Sequence, residues 1–453
     1  MAGIAGIAAP GKQNTVKKML NSLSHRGHDS QVITSNENLT IGMTFTKGQR
    51  RAGLRLFNDG VASDTAGGEH FARVTWNDSG LKFERGLLGV KPLYIGKTDD
   101  GGTVFASEVK TLLPMTESIK SVKPGIINDG YSYSKKKYIN IANLLRNDSD
   151  SIAKKLYELI DQSIQNRISG KVTGSWLSGG LDSSAIAAIA SKYVDKLYTF
   201  AAGMKDGPDI KFARIAAEAI GSQHVEIVVT LEDILKVLPD VIFHLESFDA
   251  LLVRSSITNY LAGKVASEYV EEAFSGEGAD ELFAGYENLK GYTAAQLPNE
   301  LFDLTASLHN TALQRVDRCS SAHGLTAYVP LLDPAVVAYS MQIPAEMKIK
   351  DGIEKWIFRK SMENLLPESI IYRKKAKFWQ GSGMNDLLSN YAESHISDND
   401  FKKERNLPNG WQINSKEELM YYRIFKQHFG ELHDLDWMGR TIVKPQDRVL
   451  MPS

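Results

Sequence analysis

Over the first 145 residues or so, hydrophobic positions come in short alternating runs broken by Gly, Asn and Asp. Leu39-Thr-Ile-Gly-Met-Thr-Phe45, His70-Phe-Ala-Arg-Val-Thr-Trp76 and Thr103-Val-Phe-Ala106 carry the pattern of strands with one buried face. Apolar residues recur at helical spacing from Thr15 to Leu23, which predicts a helix there. A strand-rich α+β region is expected. It ends where a long helical period, Ile152 to Ile168, begins behind Ser149 and Ser151 as caps. That change divides the chain into 1–148 and 149–453.

Beyond it, strands and helices alternate. Val172–Leu177 reads as a buried strand, Ser183–Tyr193 as a helix and Lys196–Ala202 as the next strand. Ile210–Ile220 follows as a helix and His224–Thr230 as a third strand, after which helices dominate. Strand–helix–strand repetition at this spacing predicts a doubly wound parallel α/β sheet. Such sheets bind ligands beyond the carboxyl ends of their strands.

Composition narrows the function classes. The chain has 453 residues, 42% hydrophobic and 24% charged, with a net charge of −1. That suits a soluble protein of two or three domains and gives no electrostatic case for nucleic acid or a membrane surface. The clusters Lys135-Lys136-Lys137 and Arg373-Lys374-Lys375 are short enough to be solvated faces. No apolar run approaches the ~18 residues of a membrane span. The lone cysteine, Cys319, excludes an internal disulfide framework and reads as a small buried hydrophobe. A reducing, cytoplasmic setting is expected.

Candidate chemistry gathers in two loops. Ser178-Gly-Gly-Leu-Asp-Ser-Ser184 lies between a predicted strand and a predicted helix. Gly179 and Gly180 let the backbone approach an anion, the helix N-terminus offers its N–H groups, and Ser178, Ser183 and Ser184 add hydroxyls. Asp182 would repel a bare phosphate but can hold Mg²⁺ against one. No Gly-Lys-Ser/Thr follows, so this is not a Walker A loop. The second loop, Ser275-Gly-Glu-Gly-Ala-Asp-Glu281, follows a strand around Ala273-Phe274 and lacks the alternating ligands of an EF-hand. It can be a solvated turn. On the other reading Asp182 and Asp280 form a metal pair, Gly276 lets the backbone approach pyrophosphate, and Glu277 is free for acid–base work.

The first string resembles the PP-loop of the ATP pyrophosphatases (adenine nucleotide α-hydrolase-like fold), which cleave ATP between its α- and β-phosphates. Both strings together, the latter continuing to Tyr286, look like the asparagine synthetase B family. Further segments carry the resemblance: Lys211–Ala217 with Gly221–Glu226, Leu313–Cys319 through Val329–Asp333, Gly352–Lys355 with Phe358-Arg359, and Glu417–Phe425. The resemblance implies that a small-molecule carboxylate, aspartate first, attacks the α-phosphorus of ATP, after which ammonia or another amine attacks the acyl-adenylate. It implies that Mg²⁺ on Asp182 and Asp280 neutralises the departing pyrophosphate and that Lys375 holds the α-phosphate. Glu277 would take a proton from the attacking amine, with Glu354 a weaker candidate for that environment. The related β-lactam synthetases carry Tyr at the position of Glu277, and they share Gly381-Ser382-Gly383 with this chain. A ligase joining a different carboxylate to an amine and a non-catalytic scaffold are the alternatives. Oligomeric state stays open, a homo-oligomer included.

The N-terminal region resembles an Ntn-hydrolase glutaminase domain, which normally begins Met-Cys-Gly-Ile. This chain begins Met1-Ala2-Gly3-Ile4, so the nucleophile is missing at position 2. His25-Arg26-Gly27, Gly89–Tyr94 and Phe105–Lys110 retain the family's look, whereas no Asn-Gly-Glu counterpart occurs between Gly42 and Trp76. An inactive glutaminase is expected.

Overall fold

A computed structural model describes residues 2–46, 50–77, 80–125, 144–205, 207–374 and 386–441. In the N-terminal region the strands are β1 (Ala2–Ile7), β2 (Ser30–Ser35), β3 (Thr40–Phe45), β4 (Val61–Thr65), β5 (Phe71–Asn77), β6 (Gly80–Arg85), β7 (Tyr94–Lys97), β8 (Thr103–Ala106) and β9 (Ile119–Ser121). They form a six-stranded sheet in the order β2-β3-β1-β8-β7-β9 and a three-stranded sheet β4-β5-β6. β1 lies inside the larger sheet, antiparallel to β3 and β8, and all six of its residues are buried. Its small residues are required by its neighbours. A Cβ on Gly6 would lie 2.2 Å from the Phe105 ring. The helix Gln13–Ser22 covers this sheet with Val16, Met19 and Leu20, the i, i+3, i+4 set that produced the helical signal.

The later strands are β10 (Val172–Trp176), β11 (Lys196–Gly203), β12 (Gln223–Val228), β13 (Glu272–Phe274) and β14 (Thr326–Tyr328). They make one parallel sheet in the order β12-β11-β10-β13-β14. The chain builds outward from β10 to β12 on one side and returns to β13 and β14 on the other. The order therefore reverses between β10 and β13, a switch point at which such sheets open a crevice. The helix expected over Ile152–Ile168 spans Ser149–Gln165. Its cap corrects the sequence reading: Asp148, not Ser149 or Ser151, accepts from the Asp150 and Ser151 backbone N–H groups. A carboxylate there also meets the positive end of the helix, an advantage a serine lacks.

The two regions meet across a dry ionic joint. Arg26 donates to Asp64 at 2.8 Å, Glu108 at 2.8 Å and Asp317 at 2.9 Å, and none of its side chain is exposed. Lys91 reaches Asp317 at 2.9 Å, and Lys110 pairs with Glu108. Arg318 lies 2.7 Å from Glu108 and 2.9 Å from Glu246. Glu246 also accepts from the Val109 and Lys110 backbone N–H groups. Four cations (Arg26, Lys91, Lys110, Arg318) thus face four carboxylates (Asp64, Glu108, Glu246, Asp317), all of them buried. Burial alone would raise the Glu108 and Asp317 pKa values; the surrounding cations win, and both carboxyls sit well below the usual range. Burial likewise opposes the charge on Arg26, yet Asp317, Asp64 and Glu108 hold it firmly protonated.

Two outcomes are expected. Arg26→Met leaves carboxylates buried without their partner and should destabilise the protein by about 3–5 kcal/mol in urea unfolding. Stability should also fall as pH drops below about 6.5, the ordinary histidine value. Burial depresses His70, His309 and His323 to about 4, so these stay neutral in the folded chain while the unfolded chain takes up protons. Their contribution is complete above 6.5 and is lost as pH falls toward 4; Glu108 and Asp317 add a further loss below about 4. Melting temperatures across buffers from pH 7 to 4 check this, and a flat profile contradicts it.

Candidate functional site

The first loop leaves β10 at its carboxyl end and enters the helix Leu181–Ala190. Gly179 has φ +68°, and a Cβ there would lie 2.2 Å from the Phe212 carbonyl carbon. The loop therefore rests directly on the backbone of the helix Pro208–Ile220, which only glycine permits. Ser183 Oγ ties the loop closed, accepting from Ser178 N–H at 3.1 Å and lying 3.1 Å from Ser178 Oγ. Gly180 stands at the helix N-cap and no side chain caps the helix, so its leading N–H groups are not taken by one. Ser178, Asp182 and Ser183 are half-buried. Ser184 differs from them: it is wholly enclosed. A ligand arriving from solvent meets the first two serines and not the third.

The second loop leaves β13, the strand beside β10, with Ser275 N–H bonded to the Tyr328 carbonyl at 2.8 Å. A Cβ on Gly276 would lie 2.7 Å from Asp182 C and Ser183 N, so the two loops touch backbone to backbone. This contact carries Asp280 toward Asp182. Between them stands Lys355, whose Nζ lies 2.6 Å from Asp182 Oδ2 and 2.6 Å from Asp280 Oδ1. Burial opposes that ammonium charge, but Asp182 and then Asp280 raise its pKa above the ordinary lysine value. Lys355 itself adopts φ +55°, and its N–H bonds to the Phe283 carbonyl at 3.2 Å. A Cβ on Gly285 would lie 1.9 Å from Asp280 Oδ1 and 2.1 Å from Lys355 Cε. Only glycine fits beside the bridge. Two carboxylates that share one ammonium are hard oxygen donors within reach of a single cation, and this donor set fits Mg²⁺ completed by phosphate and water.

The other expected residues are placed differently. Glu277 stands in the second loop and is held by Arg315. Glu354, one residue before the bridge, receives Arg359 at 2.5 Å and lies 3.5 Å from Lys290. Its backbone carbonyl also accepts from Arg359 Nε at 2.8 Å. Both acids therefore carry a cationic partner. Lys375 lies outside the described residues. Two residues earlier, Arg373 donates to the Ser178 carbonyl at 3.0 Å and to Asp209 at 2.6 Å, with its guanidinium 4.1 Å above the Phe212 ring. It clamps the first loop to the helix behind it. Lys355 and Arg315 lie in segments that carry the family resemblance, whereas Arg373 belongs to the cluster read as a solvated face, a reading its contacts correct; the sequence alone assigns none of the three a role. The available signal was charge balance: two convergent carboxylates require a cation nearby.

In the N-terminal region, residue 2 is enclosed. Ala2 is 1% exposed; its N–H donates to Asp64 at 3.1 Å and its carbonyl accepts from Arg26 Nε at 3.2 Å.

Comparison with known proteins agrees with the loops. The asparagine synthase family pattern matches residues 155–302 and 293–446. Asparagine synthetase [glutamine-hydrolyzing] 2 of Lotus japonicus is 32% identical over 389 residues, 79% of this chain and 66% of its own length. The Gallus gallus asparagine synthetase [glutamine-hydrolyzing] is 31% identical, covering 83% of this chain and 76% of its own. Asparagine synthetase B of Escherichia coli is 32% identical, covering 76% and 67%. The chain thus spans about two thirds of the length of the plant and bacterial relatives. Among solved structures, an NMN synthetase from Francisella tularensis aligns with 98% of its length and 64% of this chain, at 15% identity and a TM-score of 0.30. The two loops, the parallel sheet that presents them and the match over residues 155–446 place this chain in the asparagine synthase family.

Proposed function

We propose that the chain is an ATP-dependent amide synthetase that adenylates a carboxylate, aspartate first, and joins free ammonia to it without hydrolysing glutamine. The observation that carries the reading is the convergence of Asp182 and Asp280, from the ends of two neighbouring parallel strands, on one point beside a glycine-backed loop. In the reaction, a substrate carboxylate oxygen forms a bond to the α-phosphorus while the bond to the β-phosphate bridging oxygen breaks and pyrophosphate leaves. Ammonia then bonds to the acyl carbon, AMP leaves, and one proton departs from nitrogen.

The residues divide this work. The N–H groups opening the helix Leu181–Ala190, with the hydroxyls of Ser178 and Ser183, receive the pyrophosphate. Asp182 and Asp280 would hold Mg²⁺, which neutralises charge on the leaving group. Lys355 keeps these carboxylates together before nucleotide arrives and adds positive charge beside the phosphates afterwards. Lys375 is assigned to the α-phosphate, on a segment that Arg373 anchors against the first loop. Glu277 accepts the proton from nitrogen, Arg315 fixing its position. Glu354 supports the same environment from beside the bridge.

The N-terminal region is assigned to an Ntn-type, glutaminase-like fold without activity. Three relatives are named glutamine-hydrolysing. Here residue 2 is alanine, buried and hydrogen-bonded to the side chains of Asp64 and Arg26. Free ammonia is therefore the nitrogen donor assigned.

Pyrophosphate release from ATP–Mg²⁺ with aspartate and ammonium is expected in the full-length protein, with none supported by glutamine. Turnover with glutamine contradicts the inactive-glutaminase assignment, and release only with another acid replaces aspartate. Asp182→Asn should lower the rate by at least about a hundredfold, the scale of losing a charge-stabilising group in a closed site; an unchanged rate overturns the metal assignment. Lys355→Met removes the ammonium that competes with a metal, so nucleotide-free protein should bind Mn²⁺ about tenfold more tightly by electron paramagnetic resonance titration. Equal or weaker binding would show that the bridge does not occupy the metal position.

A further inference from the structure

The helix Ala312–Ser321 touches both halves of the molecule within ten residues. Arg315 reaches Glu277 in the second loop. Two and three residues later, Asp317 receives Arg26 and Lys91, and Arg318 pairs with Glu108 and Glu246. At its last turn Ser321 Oγ accepts from Arg26 at 3.1 Å. On the side facing the synthetase region, Gln314 donates to the Leu245 carbonyl at 2.7 Å and Cys319 Sγ lies 3.4 Å from the Ser256 carbonyl oxygen.

These anchors are unequal. Asp317 and Arg318 sit in the dry joint, where a shift of either would separate buried opposite charges at high cost. The Arg315–Glu277 pair is partly open to solvent, with side chains 12% and 23% exposed, and has more freedom to move. A helical segment transmits the position of one turn to the next, since residues three apart share a surface. The stiff end fixes the soft one.

We propose that Arg315 is a positioning residue for Glu277, and that the N-terminal region holds it in register through Asp317 and Arg318. A region with no glutaminase chemistry thereby keeps a mechanical role, since its buried Arg26, Lys91 and Glu108 fix the helix that aims the proton acceptor. Only the consequence for turnover rests on the proposed role of Glu277; the mechanical coupling is measurable by itself.

The experiment compares amide hydrogen exchange across Ser275–Tyr286 in the full-length protein and in Asp317→Asn. The control is Glu404→Gln, which breaks the Arg423–Glu404 pair between two C-terminal helices. Asp317→Asn should speed exchange in Ser275–Tyr286 by about tenfold or more, with the control leaving that segment unchanged. No acceleration, or equal acceleration in both variants, overturns the proposal. Should Asp317→Asn fail to fold, Arg315→Lys decides, because it leaves the ionic joint intact. It should loosen the same segment and lower kcat for amide formation while the KM for ATP holds; unchanged exchange and unchanged kcat overturn the proposal. A wild-type protein that turns over no carboxylate would sink the functional reading, while the exchange data still decide the coupling.

Discussion

Charge compensation in a dry interior is the constraint on which this molecule depends. Arg26, Lys91, Lys110 and Arg318 face Asp64, Glu108, Glu246 and Asp317, and isolated buried ions of this kind are too costly to keep. The partners come from distant parts of the chain: Arg26 and Asp317 are 291 residues apart. Neither half can bury its share of the charges alone. The joint therefore makes the N-terminal sheets and the parallel sheet a single electrostatic unit.

The same rule acts on a smaller scale where the two loops meet. Asp182 and Asp280 are brought together by loops that touch at Gly276, and such convergence would be repulsive without Lys355. Close backbone approach makes this geometry possible. Gly179 rests on a helix backbone, Gly276 on the neighbouring loop and Gly285 against the bridge itself. Hydrophobic burial builds the sheet, but these three glycines and one lysine decide where its carboxylates point.

Much of this was legible in the sequence because it is local. Period-two alternation located β3, β5 and β8, and strand–helix alternation located β10, β11 and β12 with their parallel order. Both loops could be read because glycine, serine and aspartate in those orders have few other uses. The helix cap was misread because Asp148, Ser149 and Ser151 are all capping residues, and only geometry shows which one turns back. Ser184 shares its residue type with Ser178 and Ser183, and burial, invisible to a motif, separates it from them. Lys355 and the ionic joint stayed hidden for a different reason. Their partners are fixed by folding across 173 and 291 residues, and no local period reports such pairings.

The lysine bridge also bears on the order of events during assembly. Many metal sites are knots of like charge that the chain cannot close until the ion arrives, so the ion becomes part of folding. Here the two carboxylates already share an ammonium from their own chain, which offsets half of their charge. The crevice can close and persist on groups of its own chain. The strut between the two loops is thus one that the chain carries with it.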